Sequence, residues 1–267
     1  MTPPFIFDFS NKTPNMRYVE QPQSQSVKSE ELNLCPYTIP QLKDIVKEIE
    51  NSSASIDKDR FVSDLFECGA IAISNQVDLC QRDKREERYL QIIGRYKPNE
   101  QKELAAIFGK LYALLSSVVY DDEKFNDYLG ELFMKCNLGS KHAGQFFTPY
   151  HISHFVALAT LDKDTVFSTI ASKNLITISD PCCGGGGLLI AALEVLKSYD
   201  VNYARDCLID CSDIDLRCVH MTYLQLSLAG VPAIVKHQDA LTRKIWGIWL
   251  TPAFMFQYLR FQKYLHP

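Results

Sequence analysis

The sequence predicts an α/β fold, a parallel sheet of alternating strands and helices, preceded by a helical N-terminal domain. Three observations lead there. Short apolar runs around residues 175–178, 207–209, 233–236 and 245–250 have the length of buried strands rather than of helices. Ala- and Leu-rich helical stretches at residues 188–196 and 216–229 separate the first three runs, and such alternation is the mark of a parallel sheet. Four consecutive glycines, Gly184 to Gly187, stand where the first strand must turn sharply into a helix. Glycine tolerates positive φ and lets a ligand approach the backbone, and the helix N-terminus behind it presents free amides.

In chain order, residues 1–34 are rich in Pro, Gln, Ser and Asn, carry no core pattern, and read as a disordered arm. A helical domain is expected over residues 35–138. Ile39, Leu42, Ile45, Val46 and Ile49 recur at three- and four-residue spacing, one face of an amphipathic helix. Further helices are expected over residues 61–79, 104–120 and 125–138, with Asp121 and Asp122 as a turn and cap between the last two. The charge run from Arg82 to Arg88 reads as a solvated helix face. From Gly139 the chain is expected to form the α/β domain, residues 139–267. Its first segment, Gly144-Gln145-Phe146-Phe147-Thr148-Pro149, is extended and rigid because proline disfavours helix at the preceding residue. It suits either a helix connection or a lid over the glycine loop.

Composition sets the bounds. The chain has 267 residues, 46% of them hydrophobic, with 28 basic against 32 acidic side chains and a net charge of −4. This suffices for a sizeable core, excludes a strongly basic nucleic-acid clamp, and leaves no apolar run of membrane-spanning length. A soluble, cytoplasmic protein is expected. The nine cysteines follow no disulfide framework and read as reduced thiols. Cys207, Cys211, Cys218 and His220 lack the spacing of a zinc knuckle, so no metal site is expected.

The residues at strand ends define a ligand. Asp180, which closes the first strand, would repel a pyrophosphate and suits a cationic, amine-bearing group. Asp213, 33 residues further on, stands where an acid holds ribose hydroxyls, and Ile214 beside it can cover one face of an adenine. Asp239 can accept the adenine amino group, with a backbone amide from Ala240. A nucleoside with an amino-acid tail and no phosphate satisfies this set, and S-adenosylmethionine (SAM) is such a ligand.

The order Gly144–Pro149, then Asp180-Pro-Cys-Cys-Gly-Gly-Gly-Gly-Leu-Leu189, then Asp213-Ile-Asp215, then Gln238-Asp239-Ala-Leu241 resembles the N6-adenine DNA methyltransferases. Within them it is similar to the modification subunits of type I restriction systems and their phage or plasmid relatives. The resemblance covers residues 125–255, about half the chain. It implies a Rossmann-like SAM-dependent methyltransferase sheet behind the helical domain. It also implies that Gln145, Phe147, Thr148 and Pro149 lie near the methionine part, and that the loop with Cys182, Gly184 and Gly186 cradles the cofactor. Asp213 would bind its ribose.

In that family a flipped adenine is held by an Asn/Asp-Pro-Pro-Phe/Tyr motif after the fourth strand. Here the residues at that place are Thr251-Pro252-Ala253-Phe254, where Pro252 and Phe254 can keep the turn and the ring but Thr251 lacks the planar amide. The chain ends 13 residues after Phe254, so a truncated sheet with an unpaired fourth strand is expected. The apolar tail should cover that edge or form an interface, with a specificity subunit or a second copy. The resemblance implies methylation of DNA adenine, weak or dependent on a partner chain. The alternative is a catalytically inactive homologue serving as a binding or regulatory subunit.

Overall fold

The computed structural model describes residues 40–120, 125–136 and 147–265. Residues 38–267 form one compact unit. The expected arm, Gln145 and the Asp121–Asp122 cap lie outside the described residues.

The helical half contains α1 (Pro40–Glu50), α2 (Lys58–Ser74), α3 (Arg82–Ile93), α4 (Pro98–Ser116) and α5 (Tyr128–Lys135). Local chemistry sets the boundaries. Asp57 caps α2 by accepting from the Asp59 amide, and Asp127 caps α5 by accepting from the Gly130 amide at 2.9 Å. Pro98 opens α4, and the Glu100 carboxylate turns back onto the Lys97 amide at 2.8 Å. The apolar face read for the first helix is buried as expected, with Leu42, Ile45, Val46 and Ile49 all in the core.

The α/β half continues with α6 (Tyr150–Thr160), α7 (Lys163–Lys173), β1 (Ile176–Asp180), α8 (Gly187–Ser198), α9 (Tyr203–Asp206), β2 (Cys207–Asp213), α10 (Leu216–Leu228), β3 (Ala233–Gln238) and β4 (Ile245–Leu250). The chain then closes with α11 (Pro252–Phe256) and α12 (Tyr258–Phe261). The sheet order is β1-β2-β3-β4, and β1, β2 and β3 run parallel as predicted. The mixed α/β class agrees with the sequence reading.

The fourth strand corrects one part of it. β4 pairs β3 antiparallel, with Ile234 opposite Leu250 and Gln238 opposite Ile245. Only residues 239–244 link the two strands, whereas a parallel crossover needs about a dozen residues or more. Arg243 takes a positive φ of 58°, and the Asp239 amide donates to the Lys244 carbonyl at 3.0 Å, closing a hairpin. The C-terminal end of β4 therefore lies at the opposite end of the sheet from the glycine loop.

Side chains alternate across the strands and divide the core. Ile209 and Val235 face the main cluster, which runs through α8 and α10 into α1, α2, α4 and α5. Leu208 and Ile234 face the other way and meet Leu175, Phe254 and Phe261. The apolar tail thus packs onto a sheet face rather than along the β4 edge. The charge run departs from expectation at one residue. Arg82, Asp83, Lys84 and Glu87 are exposed, and Arg88 pairs with Glu67 at 2.7 Å. Arg85 is buried against β4, with its guanidinium 4.1 Å from the centre of the Trp249 ring.

Candidate cofactor site

The glycine loop is held from three sides. At the sheet, the Cys183 amide donates to the Ser212 carbonyl at 2.9 Å, and the Ser212 hydroxyl donates to the Pro181 carbonyl at 3.0 Å. The loop is thereby stitched to the end of β2. The Gly184 amide then donates to the Asp213 carboxylate at 2.8 Å, while the other oxygen of Asp213 accepts from the Asp215 amide at 2.9 Å. From α10, the Thr222 hydroxyl donates to the Gly184 carbonyl at 2.8 Å and the Gln225 amide group to the Gly185 carbonyl at 2.7 Å. Gly186 sits at φ 92°, a conformation that L side chains rarely adopt, and its amide closes a turn onto Cys183 at 2.9 Å. Helix α8 begins at the next residue.

The third side is aromatic. A Cβ on Gly184 would lie 3.3 Å from the Phe147 ring, so this phenylalanine closes over the loop. Phe147 meets Phe133 of α5 edge-on at 5.2 Å. The Arg217 guanidinium lies 4.4 Å from the Phe133 ring centre and pairs with Asp59 of α2 at 2.8 Å. The helical half therefore sets the position of the ring above the glycines.

Asp180, Cys182, Gly184, Gly186, Asp213, Ile214 and Phe147 gather at the C-terminal ends of β1 and β2. Asp180 accepts from the Cys182 amide at 3.0 Å. Burial pushes the Asp213 carboxyl up, opposed by its bonds from the Asp215 and Gly184 amides. Ile214 is 61% exposed, an apolar side chain bared beside that carboxylate. Desolvation, followed by the charges of Asp213 and Asp180, raises the Cys182 thiol, which opposes a nucleophilic role. Thr148 and Pro149 are exposed at the start of α6. Asp239 and Ala240 follow β3 at the same end, where a His237 ring nitrogen lies 3.1 Å from the Ile214 carbonyl oxygen. The Asp239 carboxylate serves its own turn, accepting from the Leu241 amide at 2.9 Å and the Thr242 hydroxyl at 2.8 Å, and these bonds lower its pKa.

Thr251, Pro252 and Phe254 are not part of this assembly. Because β4 is antiparallel, they fall beside the start of β3. The Thr251 hydroxyl accepts from the Ala233 amide at 2.8 Å and donates to the Val231 carbonyl at 2.7 Å, and both Thr251 and Phe254 are fully buried. Their expected place next to a flipped base is corrected: they hold the tail to the sheet. Thr251→Val, which keeps the shape and leaves two buried backbone groups unpaired, should cost about 1–3 kcal/mol in chemical denaturation. It should leave the cofactor affinity of the folded protein unchanged; a selective loss of binding would return Thr251 to the site.

Sequence reading misses Asp127, Thr222 and Gln225. The latter two are polar residues three apart on a helix whose other residues from Cys218 to Leu226 are mostly buried and apolar, a pattern that signals a buried polar contact.

Residues 125–250 match the N-6 DNA methylase family. Over this segment the chain is similar to that family. The N-6 DNA methylase match begins at Phe125, two residues before Asp127, and ends at Leu250, the last residue of β4. Among curated proteins none matches the chain. Among solved structures, a Listeria monocytogenes protein assigned to the class I S-adenosylmethionine-dependent methyltransferases is similar at 19% identity and a TM-score of 0.48. The similarity covers 75% of this chain and 54% of that one, so the chain spans about half the length of that protein.

SAM is the cofactor that this match implies, and the donor set fits it. Among the described residues the site offers an apolar face at Ile214, carboxylates at Asp180 and Asp213, and no cluster of basic side chains such as a phosphate would call for.

Proposed function

We propose that the glycine loop binds SAM and that the chain serves N6-adenine methylation of DNA, acting with a partner chain. The observation that carries this reading is the Asp213 carboxylate, drawn onto the Gly184 amide and flanked by the bared Ile214. One acid shapes the loop and also faces the place of a ribose. Bound SAM supplies the methyl group. In this reading Asp180 meets the amine end, and Phe147, Thr148 and Pro149 wall the methionine part. Ile214 covers the adenine ring, and Asp239 and Ala240 border its amino edge. The target adenine must leave the duplex, since its N6 is inaccessible in the stack.

The partner is supported by surface chemistry. β1 is an edge strand, and beside it α6 and α7 expose Ile152, Phe155, Val156, Leu158 and Phe167. Phe256 and Leu259 of the tail are more than four-fifths exposed. Among the described residues no helix is long and apolar enough to cross a membrane.

Calorimetry with SAM and S-adenosylhomocysteine tests the cofactor reading. Binding should weaken roughly ten- to a hundredfold in Asp213→Ala, the loss of hydrogen bonds to one charged group. No heat with the intact protein would overturn the proposal. A second reading, a cofactor-binding homologue that regulates a modification or restriction system without transferring methyl groups, is favoured by the distance of Thr251 and Phe254 from the loop. Labelled SAM and unmethylated DNA separate the two: transfer, alone or with an added partner subunit, supports the first, and binding without transfer under either condition supports the second.

A further inference from the structure

We infer that Asp127 and Gln225 form a buried positioning pair that holds the glycine loop in its binding shape from beneath; this rests on the reading that the loop binds SAM. Asp127 is 4% exposed and Gln225 2% exposed, so neither borders the cofactor space. One Asp127 oxygen caps α5 through the Gly130 amide at 2.9 Å and also accepts from the Gln225 side chain at 2.8 Å. The same Gln225 nitrogen gives its second hydrogen to the Gly185 carbonyl at 2.7 Å. Both of its hydrogens are thus committed, one to the helical half and one to the loop.

The other Asp127 oxygen explains a glycine. A Cβ on Gly187 would stand 2.6 Å from it, closer than real Cβ contacts come. The fourth glycine of the run therefore answers to a carboxylate below the loop rather than to a ligand above it. Thr222, one turn before Gln225 on α10, holds the Gly184 carbonyl at 2.8 Å. Two successive loop carbonyls are thus turned toward α10, and the first of these glycines keeps its amide on Asp213. Removing the Gln225 link frees the Gly185 carbonyl in a buried setting, which the loop can relieve only by changing shape. Burial pushes the Asp127 carboxyl up, opposed by its bonds from Gln225 and Gly130, as for an acid placed for structure at the expense of its own hydration.

The test uses the full chain with Gln225→Met, Asp127→Ala and Asp127→Asn, the last keeping an oxygen acceptor for Gly130 and Gln225. Two quantities are read: amide hydrogen exchange over residues 183–190 relative to residues 233–238 of β3, and affinity for S-adenosylhomocysteine. In Gln225→Met and Asp127→Ala, loop exchange should rise and affinity fall, each by roughly tenfold, the equivalent of one net hydrogen bond to a charged or buried group. Asp127→Asn should restore most of both, and Asp127→Ala combined with Gln225→Met should be no worse than either alone. Uniformly faster exchange across loop and β3 would make the pair a general stabiliser and overturn the inference. So would unchanged exchange and affinity in folded Gln225→Met. If the intact chain gives no heat with S-adenosylhomocysteine, the cofactor reading falls, while the exchange comparison still decides whether the pair positions the loop.

Discussion

Arg85→Ala is expected to lower stability by about 3–5 kcal/mol, the range for removing one partner of a buried ion pair. Arg85 pairs with Asp78 at 2.7 Å, donates to the Ser74 hydroxyl, reaches the Ile248 carbonyl of β4 at 2.9 Å, and lies over Trp249. Asp78 is 7% exposed and Trp249 8%, so truncation strands a carboxylate in the interior and removes a cation from an aromatic face. Burial pushes the neighbouring His220 down to about 4, so this imidazole is neutral at pH 7 and cannot replace the lost charge. For a unit of this size the loss corresponds to about 10 °C in Tm by calorimetry. Arg85→Lys should recover only part of it, because an ammonium neither forks nor stacks as a guanidinium does. A melt of Arg85→Ala within a degree of wild type would show that β4 is not held by this residue. The functional consequence is reach: α3 of the helical half grips the edge strand of the sheet. Damage there should loosen the hairpin after β3, and with it Asp239 and Ala240, before it touches the glycine loop.

The differences between sequence and structure have physical causes. Strand positions and the glycine turn are legible because apolar runs of strand length and a four-glycine break have few other uses. The acids at the ends of β1, β2 and β3 follow, since parallel strands bring their C-terminal ends to one side. Strand direction is not carried by hydrophobicity. The six residues between Gln238 and Ile245 are the signal that β4 turns back, and the direction of that strand decides where Thr251 and Phe254 fall. Arg85 is hidden in a charge run because composition does not show which of several cations faces inward. Asp127 falls inside the helix expected over residues 125–138, with no role assigned to it there. Its place beneath the glycine loop depends on residues almost sixty positions further along the chain and on Gln225 bridging to them, which no local pattern encodes.

The corrected place of Phe254 leads to a second large effect, one that separates stability from binding. Phe254 is fully buried, packs with Leu175, Leu208 and Ile234 on the sheet face away from α10, and stacks on Phe261 with ring centres 5.7 Å apart. This small cluster is bounded by only a few other side chains, so the cavity left by Phe254→Ala has little to collapse around it. The expected cost is about 3–5 kcal/mol in chemical denaturation. Phe254→Leu, which refills much of the volume, should recover more than half. Because the cluster lies at the end of the sheet remote from Gly184, S-adenosylhomocysteine affinity measured well below the transition should stay within about twofold of wild type, less than 0.5 kcal/mol. If the ring instead stacked on a target base, the pattern would invert: stability would be retained, and DNA-dependent transfer would fall in Phe254→Ala and recover in Phe254→Tyr. That inversion would return Phe254 to the catalytic end and refute the antiparallel placement of β4.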